Sequence, residues 1–196
     1  MRASTPPGTT SPRACARSKA SLPLPLPEGG RSHVVELKQF VEPTRGKVHD
    51  CRIKQLRWIC DERGRLMEML RSDDDLFVGY GMSYVTTMYP GVTKAWHYHR
   101  KQTDHFVCVK GMIKLVLYDA RDDSPSKGVI QEIFLGESNQ ILVQIPPNVW
   151  HGFKNIGIDE AMVVNTPTHP YQYTDPDEYR AEAHGEIPYD WARKDG

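Results

Sequence analysis

The chain has 196 residues, enough for one domain with extensions and a sizeable core. Its 25 basic and 25 acidic residues cancel, so overall charge gives no pull toward nucleic acid or an anionic membrane surface. No apolar run reaches the roughly 18 residues of a membrane helix, and four cysteines without CxxC spacing read as reduced thiols of a cytoplasmic protein, not a disulfide frame or zinc ribbon.

Residues 1–32 differ from the rest. They hold six prolines, many Ser and Thr, several Arg, and no acid before Glu28. The leading expectation is a disordered tail; an organelle transit peptide, or upstream sequence from a misplaced start, are the alternatives. Residues 33–196 read as one β domain. Val34–Phe40 and Arg52–Ile59 are short alternating runs. Asp61–Gly64 is a turn, with Arg65–Leu70 continuing beyond it. Leu76–Tyr89 is long, aromatic and β-branched, and Gly79 and Gly81 suggest a bulge in it. Pro90-Gly91 turns the chain into a strand that carries His97 and His99. Ile113, Leu115 and Leu117 alternate with Lys114, Val116 and Tyr118, the pattern of a half-buried strand. Val129–Leu135, Gln140–Ile145 and Ala161–Asn165 are further strands, the first two separated by the turn Gly136–Asn139. A short C-terminal helix is expected where Asp175 caps, Pro176 starts and Gly185 ends a segment. Many short strands with turn signals between them predict an all-β sandwich or barrel.

The histidines organise this pattern. A strand has period 2, so His97 and His99 share a face. Arg100–Thr103 reads as a turn, and a hairpin there brings Asp104, before the apolar run Phe106–Val109, back toward the imidazoles. His105 then faces the other way. The order Gly91, His97, His99, Asp104, Gly111 resembles the first motif of the cupin superfamily, with Asp where Glu is usual. Pro146-Pro147-Asn148-Val149-Trp150-His151-Gly152-Phe153-Lys154-Asn155 resembles the second, with Asn148 where Gly is usual. Asn tolerates the left-handed backbone, so that exchange is mild. The resemblance implies a double-stranded β-helix, or jelly roll. Imidazoles and a carboxylate from His97, His99, Asp104 and His151 make a ligand set for a divalent metal. The bland alternative is a set of polar strand residues in a ligand cavity. Trp96 is expected in the core and Trp150 at the pocket, narrowing it.

Five short segments resemble one branch of that superfamily, the dTDP-4-dehydrorhamnose 3,5-epimerases of sugar-nucleotide metabolism. They are Asp61-Glu62-Arg63-Gly64-Arg65-Leu66-Met67-Glu68; Lys94-Ala95-Trp96-His97-Tyr98; Leu117-Tyr118-Asp119-Ala120-Arg121 with Ser124-Pro125; Ile145 to Phe153; and Ile187-Pro188-Tyr189-Asp190-Trp191. The resemblance implies proton abstraction beside the ketone of a dTDP-4-keto-6-deoxy sugar. His97 carries over as the base, His151 as a site-lining residue with His99 beside it, and Lys94 as the cation facing the enolate oxygen. Arg63 and Glu68 carry over as nucleotide-binding residues; on their own they read equally as a solvated charge pair. The acid tyrosine of that family falls on Val164, leaving Tyr171 and Tyr173 to supply the acid, and Glu186 to orient the base. The resemblance implies no required cofactor. It also implies a nucleotide-sugar partner and a homodimer in which the N-terminal strand pairs with the neighbour's sheet. The competing readings are a metal-dependent cupin enzyme, such as a dioxygenase or sugar isomerase, and a non-catalytic sugar-binding cupin.

Overall fold

The protein is represented by a computed structural model that describes residues 33–34 and 44–195. The tail over 1–32 and the strand over Val34–Phe40, beyond its first residue, lie outside them. In chain order the strands are β1 (His33–Val34), β2 (Thr44–Arg45), β3 (Arg52–Gln55), β4 (Ile59–Asp61), β5 (Gly64–Leu66), β6 (Tyr84–Met88) and β7 (Thr93–Tyr98). They continue as β8 (Asp104–Lys110), β9 (Met112–Tyr118), β10 (Val129–Gly136), β11 (Ile141–Ile145), β12 (Trp150–Asn155), β13 (Ala161–Asn165) and β14 (Tyr179–Arg180). Seven form one sheet in the order β1-β14-β7-β12-β9-β10-β2, and five form a second, β3-β11-β8-β13-β6. The small hairpin β4–β5 stands apart. This is the jelly roll expected from the sequence.

The core lies between the two sheets. Phe106, Ile113, Leu115, Leu117, Ile133, Leu135, Val143, Ile145, Phe153 and Val163 all pack there. A second cluster covers the outer face of the seven-stranded sheet. In it Val116, Tyr118 and Trp150 lie with Trp96 under the C-terminal residues Ile187 and Trp191. A third, with Leu56, Leu76, Val107 and Leu142, covers the outer face of the other sheet. These outer layers correct the reading of β9 as half-buried: residues 113–118 are all buried, because the chain returns over the face that alternation assigned to solvent.

Other expectations also change. The run Arg52–Ile59 is broken between β3 and β4, and Arg65–Leu70 leaves the strand after Leu66. Only Tyr84–Met88 of the long run Leu76–Tyr89 is strand. Its earlier half is irregular, and at Gly81 it runs close against another segment: a Cβ there would lie 2.2 Å from the His169 backbone. No helix occurs among the described residues. Where one was expected, the Asp177 carboxylate accepts from the amides of Arg100, Lys101 and Gln102 at 2.9, 2.8 and 3.3 Å. Tyr179 and Arg180 then pair with β7. Asp177, inside the expected helix, serves a tertiary connection instead, which outweighs local propensity.

Candidate active site

The sheets place four side chains at one point. β7 carries His97, with His99 just past its end; β12 carries His151; β8 opens with Asp104. β7 and β8 do not form the expected hairpin. They lie in different sheets, so Asp104 meets the histidines across the sandwich. His151 is the antiparallel partner of His97, and their ring centroids are 4.0 Å apart. The turn before His151 depends on Asn148, which has φ of 61°, the left-handed conformation that the motif's usual Gly also reaches. One ligand atom from each of His97, His99, Asp104 and His151 lies within 4.8 Å of the others.

Hydrogen bonds around the cluster decide which atoms face inward. His151 Nδ1 lies 3.0 Å from the Val149 carbonyl, and His99 Nδ1 bonds the Asp177 carbonyl. A carbonyl only accepts, so each Nδ1 carries a proton and each neutral ring presents an Nε2 lone pair. Both Nε2 atoms approach Asp104 Oδ2, at 3.2 Å from His151 and 3.4 Å from His99. Asp104 Oδ1 is already held by Gln102 Nε2 at 2.8 Å and Asn165 Nδ2 at 2.9 Å. His151 Nε2 is buried and makes no hydrogen bond, despite its approach to Asp104. Such a centre is satisfied by a cation, either a proton on a ring or a metal among the rings. Burial, then the charges of His151 and His99, hold the His97 pKa well below 6.5. Burial opposes charge on His99, but Asp104 overcomes it and raises that pKa to about 9. Burial likewise opposes ionisation of Asp104, and the close approach of the His151 and His99 rings outweighs it, holding its pKa well below 3.8. Three imidazoles and one carboxylate, two rings oriented by outer carbonyls, fit a divalent metal.

Two clefts open beside the cluster. One, of about 720 Å³, is lined by His99, Gln102, Tyr171 and Tyr173. The other, of about 590 Å³, is lined by Lys94, His97, Thr86 and Phe153. Tyr84, Glu178 and Arg180 line both. A bulge puts Lys94 beside His97: His151 pairs with His97 but Phe153 with Lys94, so two steps on β12 match three on β7. Gly152 permits it, since a Cβ there would lie 2.3 Å from Ala95 Cβ. Lys94 Nζ donates to Thr86 Oγ1 at 2.7 Å and to the Thr87 carbonyl at 2.9 Å.

Sequence reasoning missed Tyr84. Its hydroxyl accepts from Asn165 Nδ2 at 3.0 Å, the same nitrogen that holds Asp104. Burial and the Asp104 charge raise its pKa to about 12, so the phenol keeps its proton. No motif marks it; the signal is the cross-strand pair Tyr84–Asn165, visible only once β6 and β13 are aligned. Val164, where the acid tyrosine was expected, alternates away from this centre, and Asn165 occupies it.

Trp150 does not narrow the cleft. It lies on the opposite face of β12 from His151 and packs on Tyr98, 4.6 Å between centroids. Arg63 and Glu68 come together neither with each other nor with the histidines. Arg63 bonds Asp61 on the exposed β4–β5 hairpin, and Glu68 pairs with Arg71. Glu186 is exposed and lines neither cleft. His105 faces away, bonded to the carbonyls of Thr166 and Leu76. Trp96 is buried in the outer aromatic cluster, as expected.

A family model for the polysaccharide biosynthesis C-terminal domain matches residues 59–179. The chain is 46% identical over 145 residues to the probable low-salt glycan biosynthesis epimerase Agl13 of Haloferax volcanii, covering 73% of this chain and 89% of the relative. It superposes with TM-score 0.71 and 35% identity on a dTDP sugar isomerase from Desulfovibrio desulfuricans, covering 76% of this chain and 94% of that one. A dTDP-4-dehydrorhamnose 3,5-epimerase from Sulfolobus tokodaii matches with TM-score 0.63 at 25% identity, over 74% of this chain and 82% of that one.

Proposed function

This chain belongs to the polysaccharide biosynthesis C-terminal domain family, and from that premise we propose that it is a sugar-nucleotide epimerase working beside a ketone. It removes a proton from the carbon next to the carbonyl of a nucleotide-linked sugar and returns one to the opposite face. The observation that carries this reading is the meeting of ligand atoms of His97, His99, Asp104 and His151 within 4.8 Å, with His99 lining one cleft and His97 the other. Those four residues would hold a divalent cation. When bound, such a cation supplies Lewis-acid polarisation of a ketone oxygen, which acidifies the neighbouring C–H.

The chain's other groups divide the remaining work. Tyr84 Oη retains its proton and is the donor to the carbon being inverted. Glu178, bonded to Arg180 at 2.7 Å, is the carboxylate common to both clefts and takes the proton removed. Tyr171 and Tyr173, 5.1 Å apart between ring centroids, offer aromatic faces to a nucleobase, and Lys101 and Arg180 offer charge to a diphosphate. The relative from Desulfovibrio, a dTDP sugar isomerase by name, supports a dTDP-linked sugar. The free thiols Cys51, Cys60 and Cys108 support a cytoplasmic setting.

A second reading keeps His97 as the base with no metal. It is favoured by the cleft that His97 shares with Lys94, whose ammonium would face the enolate oxygen. Incubation with a dTDP-4-keto-6-deoxy sugar in deuterated water tests both readings. We expect deuterium at the carbon beside the ketone, loss of exchange with a chelator, and recovery on adding a divalent cation. Exchange indifferent to chelator would leave His97 as the base. No exchange in any metal state would refute the epimerase.

A further inference from the structure

The outer face of the seven-stranded sheet holds an arrangement that the histidine site does not use. Lys114 of β9 and Lys154 of β12 are direct cross-strand partners. Like charges in that position destabilise a sheet. Lys114 is only 7% exposed. Among the described residues its ammonium has no hydrogen bond and no carboxylate within ion-pair distance. It faces the rings of Tyr189 at 5.2 Å and Trp191 at 5.8 Å. Lys154 Nζ donates to the Trp191 carbonyl at 2.8 Å, which occupies one of its three protons.

A cavity of about 520 Å³ opens onto this pair, lined also by Phe134, Glu132, Arg193 and Lys194. Four cations therefore meet one carboxylate, which is shared with groups outside the cavity. Glu132 accepts from Arg45 at 2.8 Å and from the Tyr189 hydroxyl at 2.6 Å, and Lys194 stands 3.9 Å from it. Arg193 leans on Asp195 at 3.1 Å in solvent. Burial, with the charges of Lys154 and Lys194, lowers the Lys114 pKa against the opposing pull of Glu132 and Asp190.

We propose that this cavity is a second binding site, for a phosphate-type oxyanion, separate from the histidine clefts. A phosphate dianion brings several acceptors on one centre. It can accept a hydrogen bond from each ammonium at once and turn their repulsion into a shared attraction. The strands fix both lysines in place, so little order has to be gained on binding.

The test uses the full chain with inorganic phosphate as the probe, followed by calorimetric titration and thermal unfolding at constant ionic strength in chloride. Wild type and His97→Asn should bind phosphate alike and gain Tm with it. Lys114→Met, which removes a charge-assisted hydrogen bond, should bind about tenfold more weakly or worse. Lys154→Met should do the same. The surface double variant Arg193→Gln/Lys194→Gln, which leaves the strands untouched, should lose a few-fold. Absence of binding in wild type would overturn the proposal. So would binding that survives Lys114→Met and Lys154→Met but disappears in His97→Asn, because the anion would then sit among the histidines.

Discussion

At the scale of single residues, the four side chains at the centre act as a set or one of them acts alone, and substitution separates these cases. Ligands act together, because losing one leaves a cation under-coordinated. His97→Asn, His99→Asn and Asp104→Asn should therefore lower exchange to a similar degree, in step with metal content measured by elemental analysis. A lone base would instead make His97→Asn cost about 10²–10⁴-fold and His99→Asn much less. Tyr84→Phe should separate two steps: solvent exchange stays within about tenfold of wild type, while formation of the inverted product falls by about 10²-fold or more. Equal loss of both would assign Tyr84 to packing. The histidines and Asp104 were legible because strand alternation and two spaced motifs mark them. The same alternation excludes Trp150, since a neighbour of His151 on a strand must face away. Tyr84 was illegible because its role comes from strand pairing, not from its own neighbours in sequence.

At the scale of elements, the loop after β9 is a local device with a pH signature. The Asp119 carboxylate is unexposed and accepts from Arg121 at 2.8 Å and from Ser124 and Ser126 at 2.5 Å each. Burial opposes its ionisation, yet these bonds lower its pKa to about 2. A folded pKa below the unfolded value means that the stabilisation is complete above about pH 4 and is lost as pH falls through about 2. Asp119→Asn should cost about 2 kcal/mol at neutral pH in denaturant unfolding, and the gap to wild type should close in acid. This places the Asp119–Arg121–Ser124 segment, first read as part of an epimerase signature, in loop structure. The β7–β12 bulge makes another demand: Gly152→Ala should cost about 1–3 kcal/mol through overpacking against Ala95, and should also displace His151 and lower metal binding. Most strands were legible from alternation, with shifts of a few residues at their ends; the run from Leu76 was not, because only Tyr84–Met88 of it pairs. The missing helix was not, because the polar groups of Asp177 are used by the chain some 75 residues earlier, which no local pattern reports.

At the scale of the whole molecule, β3 and β6 are, among the described residues, the edge strands of the five-stranded sheet, and Ile53 and Val85 on them are 48% and 54% exposed. Open edges with apolar side chains invite pairing, and we expect a homodimer by light scattering at micromolar concentration. A monomer there would leave the hairpin carrying Arg63 without a neighbour to reach. The placement of Asp104 has a further consequence. Its three companions belong to one layer of the sandwich and it belongs to the other, so a cation held by all four rivets the layers together. A ligand that binds only the folded chain stabilises it by about 2.7 kcal/mol at a hundredfold excess over its Kd. Stripping such an ion should then lower Tm and speed proteolysis, even in a protein that never meets its sugar. If the four residues hold a cation in the cell, its shortage would lower the folded fraction of the protein as well as its turnover.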